Sequence, residues 1–130
     1  TSPAEELRLL EYSQRFSLQR RTVLVPDEAG SNGRALTTAA IIGGNRARGE
    51  PLAGLQPGAR ADLVEIGSDH VEFAGRSPDQ ILDTWIFSGP DNPVQNVVAG
   101  GRHVVHDGIH PAMESASRAY REMVNALDLS

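Results

Sequence analysis

Val94-Gln95-Asn96-Val97-Val98-Ala99-Gly100-Gly101-Arg102-His103-Val104-Val105-His106-Asp107-Gly108 is the stretch on which the fold turns. Valines flank the Gly100-Gly101 pair on both sides, the pattern of two short strands folded about a tight turn. Further upstream, Gly54-Leu55-Gln56-Pro57-Gly58-Ala59-Arg60-Ala61-Asp62-Leu63-Val64 reads as a Pro-Gly turn feeding an apolar strand over residues 62–66. Three short strands make a small sheet with two open edges.

Helical patterns surround these strands. Ser2-Pro3-Ala4-Glu5 has the residues of a helix start: Ser2 to cap, Pro3 at the first position, Glu5 to return a bond. The helix it opens is expected to reach residue 21, with Leu7, Leu10 (or Leu9), Phe16 and Leu18 on its apolar face. Arg15, Arg20 and Arg21 then suit the negative end of its dipole. Residues 26–33 read as a loop. A second helix is expected over residues 35–47, where Ala39, Ala40, Gly43 and Gly44 leave one side slim enough for close packing. Each glycine there costs about 1 kcal/mol of helix stability relative to alanine, so a tight neighbour is expected. Ser77-Pro78-Asp79-Gln80 repeats the cap-and-proline start for a short helix through Ile81, Leu82, Trp85 and Ile86. Pro90 and Pro93 break the chain before the hairpin. A last helix, residues 111–127, carries Met113, Ala116, Tyr120, Met123, Val124 and Leu127 on one side.

Four helices on so small a sheet leave apolar surface uncovered, and the first helix has no strand before it to lean on. Such elements ordinarily pack on a larger sheet or barrel, so the chain reads as part of a bigger body. Its 130 residues bound it to one domain. The net charge of −5 argues against nucleic-acid binding. All twelve positive charges are arginines and cysteine is absent, which excludes disulfides and thiolate chemistry. No apolar run approaches the ~20 residues that span a bilayer, and the opening Thr-Ser-Pro-Ala-Glu-Glu has no signal-peptide character.

Candidate chemistry is sparse. His103, His106 and His110 have a metal-like spacing, but strand side chains alternate faces. His103 and His106 are therefore expected to point to opposite sides, exposed to solvent, with His110 outside the strand. His70 falls in a loop with no evident partner. Gly43-Gly44 and Gly100-Gly101 lack the strand-to-helix setting and the Lys-Ser/Thr ending of a phosphate cradle. Asp62 is expected to bind turn amides rather than act as an acid or base. Trp85 is expected in the core. Tyr12 with Arg8 or Arg15 could meet a substrate or a neighbouring subunit, an exposed helix face being the simpler reading. No Ser/His/Asp triad assembles.

The Gly-x-x-Pro-Gly-x-x-Ala-Asp-Leu and Gly-x-x-Val-x-x-Gly elements resemble the closing segment of the amidohydrolase superfamily. Narrower phrases, Leu10-Glu11-Tyr12-Ser13-Gln14-Arg15 and Trp85-Ile86-Phe87-Ser88-Gly89, resemble the formimidoylglutamate deiminase family. The resemblance implies an α/β fold: the C-terminal fragment of a metal-dependent (β/α)8 barrel. Residues 1–48 would be terminal barrel helices, 49–110 the strands and helix completing a small β-sandwich, and 111–130 a C-terminal helix. It implies a hydrolase converting N-formimidoyl-L-glutamate to N-formyl-L-glutamate and ammonia in histidine degradation, with zinc or another divalent ion activating water. The family's metal ligands include a His-x-His pair, which this chain lacks, and an Asp expected upstream of Thr1. No catalytic, cofactor-binding or metal residue is therefore expected among these positions. The expected partners are the N-terminal barrel part, a small-molecule substrate and a second subunit, with no nucleic acid and no membrane, in the cytoplasm. The alternatives are the tail of another aminohydrolase or deaminase, and a non-catalytic α+β interaction module whose strands pair with a partner's sheet edge.

Overall fold

The computed structural model describes residues 2–25, 30–89 and 92–127. In chain order these form α1 (Pro3–Leu18), α2 (Asn32–Ala47), β1 (Leu63–Ile66), a 3-10 turn (Val71–Phe73), α3 (Pro78–Phe87), β2 (Val94–Ala99), β3 (Arg102–Val105) and α4 (Met113–Ala126). The chain divides into two units, a helical one of residues 1–60 and 67–93 and a sheet-containing one of residues 61–66 and 94–130.

In the helical unit, α1 and α2 both pack on α3. Ser2 caps α1, its hydroxyl accepting from the Glu5 amide at 3.4 Å. The helix ends at Leu18, short of the expected residue 21, because Gln19 turns left-handed with φ 53° and directs its amide to the Arg15 carbonyl. Its expected apolar face is not the buried one. Phe16 is 77% exposed, with Leu9, Leu10 and Leu18 also exposed, whereas Ala4 and Glu11 are buried. Polar and aromatic contacts decide which side meets α3: the Arg8 Nε–H donates to the Ile86 carbonyl at 2.6 Å, and Tyr12 stacks on Phe87 with ring centroids 5.8 Å apart.

Helix α2 starts earlier than expected. Residues 26–29 of the expected loop lie outside the described residues, but Asn32 and Gly33 are helical, capped by Ser31, whose hydroxyl accepts from the Arg34 amide at 3.0 Å. Glycine is required at 33. A Cβ there would sit 2.5 Å from the backbone nitrogen of Asp83 and from the carbonyl carbon of Leu82. The bare Gly33 amide instead donates to the Asp83 carboxylate at 2.6 Å. The tight packing expected at Gly43-Gly44 is not made among the described residues, since a Cβ at either position meets nothing within 4 Å. The close approach is real but sits one helix end away, where polar bonds hold it.

Helix α3 carries the full reciprocal cap expected of Ser77-Pro78-Asp79-Gln80: the Ser77 hydroxyl accepts from the Gln80 amide, and the Gln80 side chain accepts from the Ser77 amide. Its Thr84, Trp85 and Ile86 are buried, and with Ala4, Leu36 and Phe73 they form the core of this unit. Trp85 is thus a core residue, as its place on the apolar side of the helix predicts.

The second unit holds a three-stranded antiparallel sheet in the order β1-β2-β3. Gly100 and Gly101 take φ 57° and 79°. Positive φ at both central residues is the turn that matches strand twist, and glycine adopts it without strain. Asp62 accepts from the Gly100 amide at 2.7 Å, and the Ala61 carbonyl accepts from Gly101 at 2.9 Å. Asp62 therefore binds turn amides, as expected. The register aligns Val64, Val97 and Val105 on one face, and Leu63, Val98 and His103 on the other. Val97 faces Val105 while Val98 faces His103, so β3 holds an extra residue, Val104, in a bulge. Helix α4 follows, its first turn steadied by the His110 Nδ1, which accepts from the Ala112 amide at 3.0 Å.

Candidate functional site

Among the described residues, two constellations each gather several polar and ionisable side chains. The first is an open groove in the helical unit, lined by Tyr12, Arg15, Asn32, Arg76, Asp83 and Phe87 among others. The Arg15 guanidinium lies 5.4 Å from the Tyr12 ring centre and 5.3 Å from that of Phe87, a cation held by two aromatic rings. Its Nε–H also donates to the Glu11 carboxylate at 2.8 Å. Tyr12, Arg8 and Arg15 thus face α3 rather than forming an exposed helix surface.

Glu11 is the residue that sequence reasoning missed. Its side chain is inaccessible to solvent, and besides Arg15 it accepts from the backbone amides of Val23 and Leu24 at 3.2 and 3.1 Å. Burial pushes its carboxyl up, but the Arg15 bond and the two amides outweigh burial and hold it below the ordinary value of 4.5. Glu11 therefore clamps the segment after α1 onto the helix. The only sequence signal was a carboxylate four residues before an arginine, which is common on exposed helices.

Asp83 in the same groove is occupied with the Gly33 amide, and the Arg76 Nε–H donates to the Glu72 carbonyl at 2.6 Å. Each charged group there has a structural partner. The groove's described lining offers Asp83 as the one carboxylate, with the hydroxyls of Tyr12, Thr84 and Ser88 and no histidine.

The second constellation is a polar strip on the sheet. Glu65 accepts from the Asn96 side-chain nitrogen at 2.6 Å, and the Asn96 oxygen lies 2.9 Å from His103 Nε2. A carboxylate only accepts, so Asn96 presents its oxygen to His103 and the Nε2 carries the proton. His103 and His106 do not point to opposite faces, contrary to simple alternation. Their ring centroids are 3.6 Å apart. The bulge at Val104 resets the alternation by one residue. The turn through Asp107 and Gly108, both at positive φ, closes a bridge between His106 and Ile109. His70 has a partner as well, edge-on to Phe73 at 5.8 Å.

This donor set does not fit a zinc ion. His103 and His106 meet ring against ring rather than converging through nitrogens, and the His110 Nδ1 is taken by a backbone amide. Among the described residues no group of three or more histidines, aspartates or glutamates is placed to hold a metal. No described helix is long and apolar enough to cross a membrane.

No protein-family model matches the chain. Solved structures define its class. An amidohydrolase from Brucella melitensis superposes with a TM-score of 0.83 at 39% identity, over 96% of this chain and 27% of that one. The atrazine chlorohydrolase of Arthrobacter aurescens TC1 complexed with zinc follows at 0.67 and 21% identity. An adenosine deaminase from Xanthomonas campestris with bound zinc stands at 0.64 and 20%. The last two share the fold. The chain is an α/β segment of amidohydrolase type. In sequence it is similar to the formimidoylglutamate deiminase of Pseudomonas aeruginosa, 39% identical over 126 residues. That match takes in 97% of this chain and 28% of the relative, so the chain spans just over a quarter of its length.

Proposed function

We propose that these residues are the C-terminal part of a metal-dependent deiminase that hydrolyses N-formimidoyl-L-glutamate to N-formyl-L-glutamate and ammonia. One observation carries the reading: identity of 39% to a formimidoylglutamate deiminase extends across nearly the whole chain. Solved neighbours with bound zinc support a divalent ion in the complete enzyme. When bound, that ion supplies an activated water. In this reading the residues in hand contribute scaffold and no ligand. Residues 1–48 are terminal barrel helices, 49–110 complete a small β-sandwich, and 111–130 form the closing helix. Glu11, Gly33 and the Ser77 cap keep that scaffold rigid beneath chemistry done by other residues.

The test is hydrolysis by the full-length enzyme, read as ammonia release from N-formimidoyl-L-glutamate and from adenosine, and as chloride release from a chlorotriazine. A kcat/KM for the amidine at least a hundredfold above either of the others is expected; preference for a ring substrate overturns the assignment and favours another aminohydrolase. Metal analysis should find about one zinc in the full-length protein and none in residues 1–130 alone. The reading also entails a cytoplasmic homodimer acting in histidine degradation. Sedimentation of the full-length protein checks the dimer. Growth on histidine as nitrogen source, with the gene deleted, checks the pathway.

A further inference from the structure

Among the described helices, α4 has the cleanest division of faces. Met113, Ala116, Tyr120, Met123, Val124 and Leu127 recur at steps of three and four, the a/d spacing of a helix seam. Glu114, Arg118, Arg121 and Glu122 take the opposite side. Every residue of α4 is exposed except Val124, which is half-buried, and Tyr120 and Met123 stand 64% and 57% open. A contiguous apolar stripe of this kind marks a contact surface.

Three occupants are conceivable, and the charge and the area of the helix separate them. Membrane-surface helices carry a basic polar face, whereas here two glutamates balance two arginines. A second copy of α4 would have to hold through 14 residues. That is about 21 Å of helix and a strip roughly 10 Å wide, far below the ~800 Å² per partner of a stable interface. It is also only two heptads, where coiled coils need at least three or four. A segment of the same polypeptide needs no such area, because tethering removes the cost of bringing two molecules together. Nearly three-quarters of the length of the Pseudomonas aeruginosa relative lies outside the match.

We infer that the apolar stripe of α4 docks against an apolar helix face in the part of the enzyme's own chain that lies outside residues 1–130. The inference rests on the proposed membership of a longer deiminase, though not on its substrate. The fit is helix on helix, since an a/d seam fills the groove between ridges of a neighbouring helix.

The experiment follows amide hydrogen exchange across residues 113–126 in the full-length enzyme, over a dilution series that carries it from oligomer to monomer. Protection of at least a hundredfold that persists in the monomer is expected. Met123→Lys should lower it at least tenfold, while Met123→Leu and Arg118→Ala leave it unchanged. Three results overturn the inference: protection no greater than in an unstructured peptide, protection that disappears on dilution (a second copy then covers the face), or full protection in Met123→Lys. Ammonia release is read on the same samples. A protected, dilution-insensitive helix in an enzyme inactive on N-formimidoyl-L-glutamate supports the docking and retires only the substrate.

Discussion

The two units differ in what holds them together. The helical unit buries Leu36, Phe73, Trp85 and Ile86, and it buries Glu11, Ser31 and Thr84 with partners for each. The sheet unit has regular strands, a correct turn and a well-made helix, yet none of its described residues is fully buried. Local structure is equally good in both. What differs is whether an apolar face has found something to cover it, and tertiary burial, not propensity, supplies most of the stability. Backbone hydrogen bonds shape the sheet unit without giving it a core of its own.

Truncating Trp85 to alanine should have the largest effect, about 3–5 kcal/mol by denaturant unfolding. A cost under about 1 kcal/mol would erase the contrast by showing that the helical unit lacks a working core. Gly33→Ala should cost up to about 3 kcal/mol, because the backbone of α3 cannot move away from the added methyl. Gly43→Ala, with open space around it, should gain up to about 1 kcal/mol in residues 1–130 alone. Thermal melting of the two variants separates a packing glycine from one that merely weakens a helix.

Glu11→Gln should lose about 2 kcal/mol at pH 7, since a neutral amide offers less to Arg15 and the two backbone amides. Its folded-state pKa is lowered, so its contribution is fully present above the unfolded value of about 4.5. That contribution fades as pH falls through the lowered folded value. The variant should therefore show a shallower loss of stability in acid than the parent, and unfolding curves between pH 3 and 7 check it. Equal acid slopes would mean that the clamp does not operate. The smallest effect is expected at Val97→Ala in the middle strand, about 1 kcal/mol or less in residues 1–130 alone. The same substitution in the full-length enzyme should cost more, because the Val64-Val97-Val105 face is then covered. Equal costs in both proteins would argue that this face stays open.

Much of the architecture was legible because its signals are local. Caps at Ser2 and Ser77, the Gly100-Gly101 turn and the valine strands act over a few residues, so their outcome is written in those residues. Asp62 was legible for the same reason, its partner being the adjacent turn. The failures share the opposite property. Which side of α1 is buried depended on Ile86 and Phe87, more than seventy residues away. The start of α2 depended on a glycine whose reason lies in the backbone of α3. The pairing of His103 with His106 depended on one bulged residue, and a single extra residue reverses every face that follows it.

Read alone, the chain determined its secondary elements, its turn chemistry and its likeness to amidohydrolases, because propensities, caps and turn dihedrals act between near neighbours. Only the tertiary structure decided that Glu11 is a buried clamp, that Gly33 and not Gly43 is the packing glycine, and that two histidines meet. Those outcomes rest on contacts between residues far apart in sequence, where a shift of one residue or a single added methyl decides the result.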